Sequence, residues 1–247
     1  MNKKWQKMVK ALQMKKYRYR EGLFMAEGEK VVAETLKSAW PVEAIFFTED
    51  FALAHRQLLE TKDCFKQEVS AGVLQKAGTF ASSTQALAVV KMRQVLPPAQ
   101  ITGLCLALDN VRDPGNLGTI IRLADWFGVQ HVVCSETTAD CYNPKVVAAS
   151  MGSLLRVPVS YTGLPVFLNS LHRQVMAFGT FMSGENIHQA KLQLPAVLVM
   201  GNESAGISDQ VARHVQQRLT IPGRGGAESL NVAMACAITC DNFFRQT

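Results

Sequence analysis

Five side chains able to do polar chemistry, Asn116, Arg122, Glu203, Ser229 and Asn231, fall in three short stretches of the second half of this 247-residue chain. The first stretch is Asp109-Asn110-Val111-Arg112-Asp113-Pro114-Gly115-Asn116-Leu117-Gly118-Thr119-Ile120-Ile121-Arg122. The second is Val199-Met200-Gly201-Asn202-Glu203-Ser204-Ala205-Gly206, and the third is Ile221-Pro222-Gly223-Arg224-Gly225-Gly226-Ala227-Glu228-Ser229-Leu230-Asn231-Val232-Ala233. Each begins where an apolar, strand-like run ends and then passes through Gly, Asn, Asp or Pro. Ligands of α/β folds sit outside the carboxyl ends of strands, so three such polar ends point to one ligand crevice.

Taken singly, each stretch has a plainer reading. The glycines of the third allow close backbone approach, and Ser229 stands where an N-cap would precede a long helical pattern. Backbone amides there could grip an anion or a polar ligand edge. The phosphate-loop pattern is absent, and no dinucleotide fingerprint follows a strand, which counts against a nucleotide-dependent oxidoreductase. In the first stretch, Arg122 could simply pair with Asp125 at i+3, worth a few tenths of a kcal/mol. Glu203 alone reads as a loop or helix-cap acid.

The elements that must position these residues alternate between strand and helix. Expected strands are Leu104–Leu108, His131–Ser135, Val157–Ser160, Val175–Gly179, Ala196–Met200 and Arg218–Ile221. Expected helices are Leu117–Phe127, Pro144–Ser150, Pro165–Leu171, Ser208–Gln216 and Ser229–Arg245. Continuous apolar strands alternating with helices imply a mostly parallel sheet covered on both faces. A smaller α/β domain precedes it. There residues 1–20 read as one helix, Val42–Thr48 and Ala86–Met92 as strands, and Val31–Leu36, Phe51–Leu59 and Ser70–Ala77 as helices. Pro97 and Pro98 mark the connection. The expected organisation is a first domain over 1–95, a linker over 96–103 and a second domain over 104–247.

The net charge of +6 is carried by the first segment: without residues 1–20, 18 basic residues face 20 acidic ones. Lys3, Lys4, Lys7, Lys10, Lys15, Lys16, Arg18 and Arg20 are interleaved there with Trp5, Tyr17 and Tyr19. Basic side chains release counterions from a phosphate backbone, and aromatics stack on unpaired bases. RNA contact is expected, with Lys15, Lys16, Arg18 and Arg20 as binding residues. The other reading, compatible with it, is an amphipathic helix whose Trp5, Met8, Val9 and Leu12 face a core. No apolar run approaches the ~20 residues of a membrane span, and no signal-peptide core is present, so a cytoplasmic location is expected. Six cysteines form no CxxC pair, and the Cys236/Cys240 pair lacks histidines at zinc-finger spacing. Reduced thiols and no metal site are expected.

Together and in this order, the three stretches resemble the SpoU, or TrmH-like, branch of the SPOUT RNA methyltransferases. The matching motifs are N-x-x-D-P-x-N-x-G followed by I-I-R, then G-N-E-x-x-G, then I-P with a glycine loop and S-L-N-V-A. The resemblance covers residues 104–247. The first domain resembles the ribosomal-protein-like α/β substrate-binding domain that often precedes this module, through Lys15-Lys16-Tyr17-Arg18 and Phe24-Met25-Ala26-Glu27-Gly28.

The resemblance implies methyl transfer from S-adenosylmethionine to a ribose 2′-hydroxyl of RNA. It also implies a homodimer and a deep trefoil knot around the cofactor. Carried over by motif, Asn116, Arg122, Glu203, Ser229 and Asn231 belong to the catalytic end. Thr180, Gly201, Ile221, Leu230 and Asn231 hold the cofactor. Arg122 or Glu203 would handle the hydroxyl proton; because an arginine side chain stays protonated, the other reading of Arg122 is that it orients the hydroxyl or an adjacent phosphate. Ribosomal RNA is favoured as substrate by the separate first domain. Transfer RNA, or a non-catalytic RNA-binding role on the same scaffold, are the alternatives.

Overall fold

The computed structural model describes residues 1–82 and 84–246. The chain forms two compact units: Met1–Arg93 with Asp140–Leu155, and Gln94–Ala139 with Arg156–Thr247. The segment Asp140–Leu155 therefore clusters with the first unit, which a linear boundary at 96–103 does not express.

The first unit opens with two helices rather than the single one expected over 1–20. They are α1 (Lys3–Leu12) and α2 (Lys15–Glu21), separated by Met14 in an extended conformation. The physical reason for the break lies in Arg18. Its Nη1 donates to the carbonyls of both Leu12 and Gln13 at 2.9 Å, taking up acceptors that a continuing helix would use. Its Nε and Nη2 donate to Asp140 Oδ2 at 3.2 and 2.6 Å. Arg18 is buried in this network, which removes it from the expected RNA-binding set. Lys15, Lys16 and Arg20 are exposed.

The strands that follow are β1 (Leu23–Glu27), β2 (Val42–Phe47), β3 (Phe65–Glu68) and β4 (Ala86–Lys91), in the sheet order β1-β4-β2-β3. Only the β2–β3 pair is parallel. Val9 and Leu12 of α1 join Met25, Ala44, Phe46 and Val89 in a core on one face, with Leu74 of α5 (Ala71–Ala77). Trp5 stacks on Phe65 and meets Phe46 edge-on, so the apolar stripe of α1 packs as its spacing predicts. Lys3, Lys4, Lys7 and Lys10 are left exposed. Helices α3 (Glu29–Lys37) and α4 (Glu49–Glu60) complete the sandwich, and α7 (Pro144–Ala149) packs on β1.

The second unit holds six parallel strands: β5 (Leu104–Leu108), β6 (His131–Cys134), β7 (Val159–Tyr161), β8 (Met176–Asn186), β9 (Ala196–Met200) and β10 (Gln217–Thr220). Their order is β10-β8-β9-β5-β6-β7. Both β5 and β9 are buried along their whole length, as near-continuous apolar runs require in a sheet covered on both faces. The helices are α6 (Pro114–Trp126), α8 (Leu164–Asn169), α9 (Asp209–Ala212) and α10 (Val232–Gln246). β8 runs seven residues beyond the expected end at Gly179, because β10 pairs with its distal part after a register shift at Arg218/Leu219.

Strands β5 and β9 are neighbours, in register from Leu104↔Ala196 to Leu108↔Met200. From β5 the chain proceeds to β6 on one side; from β9 it proceeds to β10 beyond β8 on the other. The chain thus leaves these two strand ends towards opposite sides of the sheet, the switch point at which ligands of open α/β sheets bind.

Candidate active site

The loop after β5 is shaped by its own polar residues. Asn110 adopts φ +60, a left-handed conformation that asparagine tolerates better than most side chains. Asp113 is the N-cap of α6: its Oδ1 accepts from Asn116 N at 2.8 Å, and Pro114 fills the first turn. This fixes Asn116 on the first turn, facing the loop after β9.

That second loop closes tightly. Asn202 and Gly206 exchange backbone hydrogen bonds at 2.9 and 3.0 Å, with Gly206 at φ +69. A Cβ on Gly201 would stand 2.2 Å from the Gly206 carbonyl carbon, so only glycine fits there. Asn202 Oδ1 accepts from the amides of Ser204 and Ala205, and its Nδ2 donates across to Asn110 O at 2.7 Å. Behind it the buried Asp109 carboxylate accepts from Ser208 N at 2.7 Å.

Glu203 is the junction. Oε1 accepts from Asn116 Nδ2 at 2.9 Å and from Asp113 N at 3.3 Å. Oε2 accepts from Asn202 Nδ2 at 3.2 Å and from Arg112 N at 3.5 Å. Both carboxylate oxygens are thus engaged, two of the contacts being long. Asn116 Oδ1 in turn accepts from Asn231 Nδ2 at 2.8 Å. The chain Asn231→Asn116→Glu203 therefore ties together all three sequence stretches.

Asn231 also caps α10, its Oδ1 accepting from Ala233 N at 2.9 Å and Met234 N at 3.3 Å. This corrects the expected cap at Ser229. Ser229 lies two residues earlier in the exposed loop, and α10 starts at Val232 rather than at 229. An asparagine two residues further on offers a cap as good as serine, and its amide nitrogen remains free for Asn116.

Arg122 is exposed on α6, and no hydrogen bond joins it to the Asn231–Asn116–Glu203 chain among the described residues. The ion pair with Asp125 that its spacing allows does not form. Asp125 instead receives Arg156 in a forked contact, at 2.9 Å from Nε and 2.8 Å from Nη2. Arg122 therefore has no side-chain partner among the described residues. Arg112, not singled out by the sequence, is also exposed, and its Nε is held by Asn110 Oδ1 at 2.9 Å. Its signal in the sequence was its place between Asn110 and Asp113.

Three of the expected cofactor residues lie at or near the ends of β8, β9 and β10. Gly201 follows β9, Ile221 follows β10, and Thr180 follows Gly179 of β8, with its hydroxyl 3.6 Å from Met200 Sδ. Leu230 is half-exposed at the far end of the loop. Among the described residues, 221–230 make no hydrogen bond within the chain. That run offers unspent backbone donors and acceptors beside apolar Ile221 and Leu230. An adenine has an apolar face and a polar edge, so these residues fit an adenosyl group.

A family model described as the SpoU rRNA methylase family matches residues 103–241. The chain belongs to the SpoU rRNA methylase family. A second model, an MRM3-like substrate binding domain, matches residues 4–88 of this SpoU protein. Among its relatives is the 23S rRNA (guanosine(2553)-2′-O)-methyltransferase RlmP of Bacillus subtilis, 32% identical over 93% of this chain and 91% of that protein. The SpoU methyltransferase AviRb from Streptomyces viridochromogenes, in complex with AdoMet, superposes with a TM-score of 0.87. It is 26% identical, with 100% of this chain and 98% of that one covered. The AdoMet-bound rRNA methyltransferase from Sinorhizobium meliloti gives a TM-score of 0.87 at 29% identity, covering 98% and 95%.

Proposed function

We propose that this SpoU protein transfers a methyl group from S-adenosylmethionine to a ribose 2′-hydroxyl of ribosomal RNA. The observation that carries the reading is the Asn231→Asn116→Glu203 chain, which gathers the three motif stretches at the carboxyl ends of β5 and β9. The rRNA 2′-O-methyltransferase RlmP, similar over nearly the whole chain, supports the substrate class.

S-adenosylmethionine supplies an electrophilic methyl group on a sulfonium when bound. Gly201, Ile221, Leu230 and the backbone of the 221–230 loop would hold it, with Thr180 alongside. The protein's task is then to align a weak, neutral hydroxyl and keep it aligned. Glu203 acts here as a positioning residue: with both oxygens occupied by N–H donors, it pins the α6 entry loop to the loop after β9. Asn116 and Asn231 extend that clip to the start of α10. Arg122 orients the target nucleotide through its phosphate, a role that suits a planar cation better than proton abstraction does. Arg112, tethered by Asn110, provides a second cation on the same loop. Ser229 lies in the exposed loop on the substrate side.

The exposed lysines of α1, with Lys15, Lys16 and Arg20, bring the RNA to the first unit. Exposed Trp126 on α6 and Met234 and Phe244 on α10 support a homodimer built on the second unit. The return of the chain from β10, at one sheet edge, to α10 packed on α6 supports the trefoil knot. The first domain over 1–95 and the catalytic domain over 104–247 remain the proposed functional division. No described helix is long and apolar enough to cross a membrane, and a cytoplasmic location accords with an rRNA substrate.

Arg122→Ala is the test. Methyl transfer to rRNA should fall by at least about a hundredfold, the scale of losing a positioned transition-state group, while calorimetric binding of S-adenosylmethionine stays near wild type. Unchanged activity would remove Arg122 from the mechanism.

A further inference from the structure

The residues proposed for methyl transfer lie at the carboxyl ends of the six parallel strands. The amino ends of β8 and β10 carry a second cluster that the reaction does not use. A pocket of about 280 Å³ lies between the turn that leads from α8 into β8 and the turn that leads from α9 into β10. His172 and Arg173 line it from the first turn, and Arg213 and His214 from the second. No carboxylate is among the lining residues. Outside its first 20 residues this chain carries fewer basic than acidic residues, so such a gathering is not a by-product of overall charge.

The plainer explanation is that Arg173 and Arg213 balance the carbonyl ends of α8 and α9. The hydrogen bonds argue against it. At the end of α8, Ser170 supplies both its amide and its hydroxyl to Phe167 O, and Leu171 N meets Leu168 O. At the end of α9, the amides of Arg213, His214 and Val215 take the carbonyls of Asp209, Val211 and Ala212. Neither arginine side chain makes a hydrogen bond or ion pair with any described residue. The two turns are locked together beneath them, because Gln216 both donates to and accepts from the Ala177 backbone. Two exposed guanidinium groups without partners among the described residues and two imidazoles thus line one pocket, a donor set suited to a phosphate oxyanion.

We propose that this pocket grips a phosphodiester group of the RNA substrate, as a second contact away from the methyl-transfer site. The proposal rests on the RNA methyltransferase reading above. The strands separating the amino-end pocket from the carboxyl-end site are about five residues long, or roughly 15 Å, a span that one folded RNA can bridge. Contacts of this kind hold register on the nucleic acid and carry no sequence information.

The experiment compares the full-length protein with R173A/R213A and with R173K/R213K. RNA affinity is measured over a salt series, methyl transfer is measured to the same RNA, and S-adenosylmethionine binding is measured by calorimetry. For R173A/R213A the slope of log affinity against log salt should become shallower by about 1 to 2. Its KM for RNA should rise about tenfold, the scale of a lost charge-assisted contact, at unchanged kcat and cofactor affinity. The lysine pair should recover the slope. An unchanged slope and KM in R173A/R213A, with the wild type active, would overturn the proposal. Inorganic phosphate binding that is lost in R173A/R213A while RNA affinity is unmoved would also overturn it, in favour of a free-anion site. A wild-type protein that transfers no methyl group to RNA would instead overturn the reading of the reaction.

Discussion

At the scale of single residues, the site is organised by the carboxylate of Glu203. A group whose only task was to accept a proton would not need donors on both oxygens. Glu203→Gln replaces one acceptor oxygen with an NH2 that confronts those donors. The variant should lose about 1–2 kcal/mol of stability as well as activity, read by denaturant titration beside the methyl-transfer assay. Loss of activity at full stability would instead make Glu203 the base. His131 gives a pH prediction of its own. Burial on β6 lowers its pKa to about 4 from an ordinary 6.5, and it contacts Ser160 Oγ at 2.8 Å. The unfolded chain therefore takes up the proton first. The contribution of neutral His131 is complete above pH 6.5 and is lost as pH falls from there through about 4. His131→Asn should flatten that part of the stability profile relative to wild type; a parallel profile would contradict the assignment. The residues that meet in the Asn231–Asn116–Glu203 chain were legible because three short motifs carried them. The partners of Arg122 and Arg18 were not. Asp125 is claimed by Arg156, 31 positions away, and Arg18 by Asp140, 122 positions away, and no local spacing encodes such pairings.

At the scale of elements, the strands were the most legible, because β5 and β9 are buried on both faces and so read as unbroken apolar runs. Helix ends were less so. The start of α10 was misplaced by three residues because both Ser229 and Asn231 are good caps, and only the position of Asn116 decides between them. The double duty of Asn231 can be separated. Asn231→Asp keeps the cap acceptor for Ala233 and Met234 but replaces the amide donor to Asn116 with a second oxygen. The melting temperature should stay within a few degrees of wild type, since aspartate and asparagine cap about equally well. Methyl transfer should fall by about tenfold or more, the scale of one lost positioning hydrogen bond. A variant that keeps full activity would detach the Asn231–Asn116 link from function. The division of residues 1–20 into α1 and α2 was hidden for a related reason: the helix break is imposed by the buried Arg18 and its carbonyl partners, not by a proline or glycine.

At the scale of the whole molecule, two units of different charge are joined in one chain. The first holds the lysine-rich face of α1, and the second holds the linked loops that follow β5 and β9. Sequence order suggested a simple succession of domains, yet Asp140–Leu155 clusters with the first unit. The buried Arg18–Asp140 pair and the packing of α7 on β1 both tie the returning segment to that unit. Function at this scale is the delivery of one ribose hydroxyl to one methyl group. The most direct measurement supplies the purified protein with S-adenosylmethionine labelled on the methyl group and with unmodified ribosomal RNA, followed by complete alkaline hydrolysis. A 2′-O-methyl group blocks cleavage of the adjacent phosphodiester, so the account predicts label in alkali-resistant dinucleotides. Label confined to mononucleotides, or found in protein with none in RNA, would contradict it.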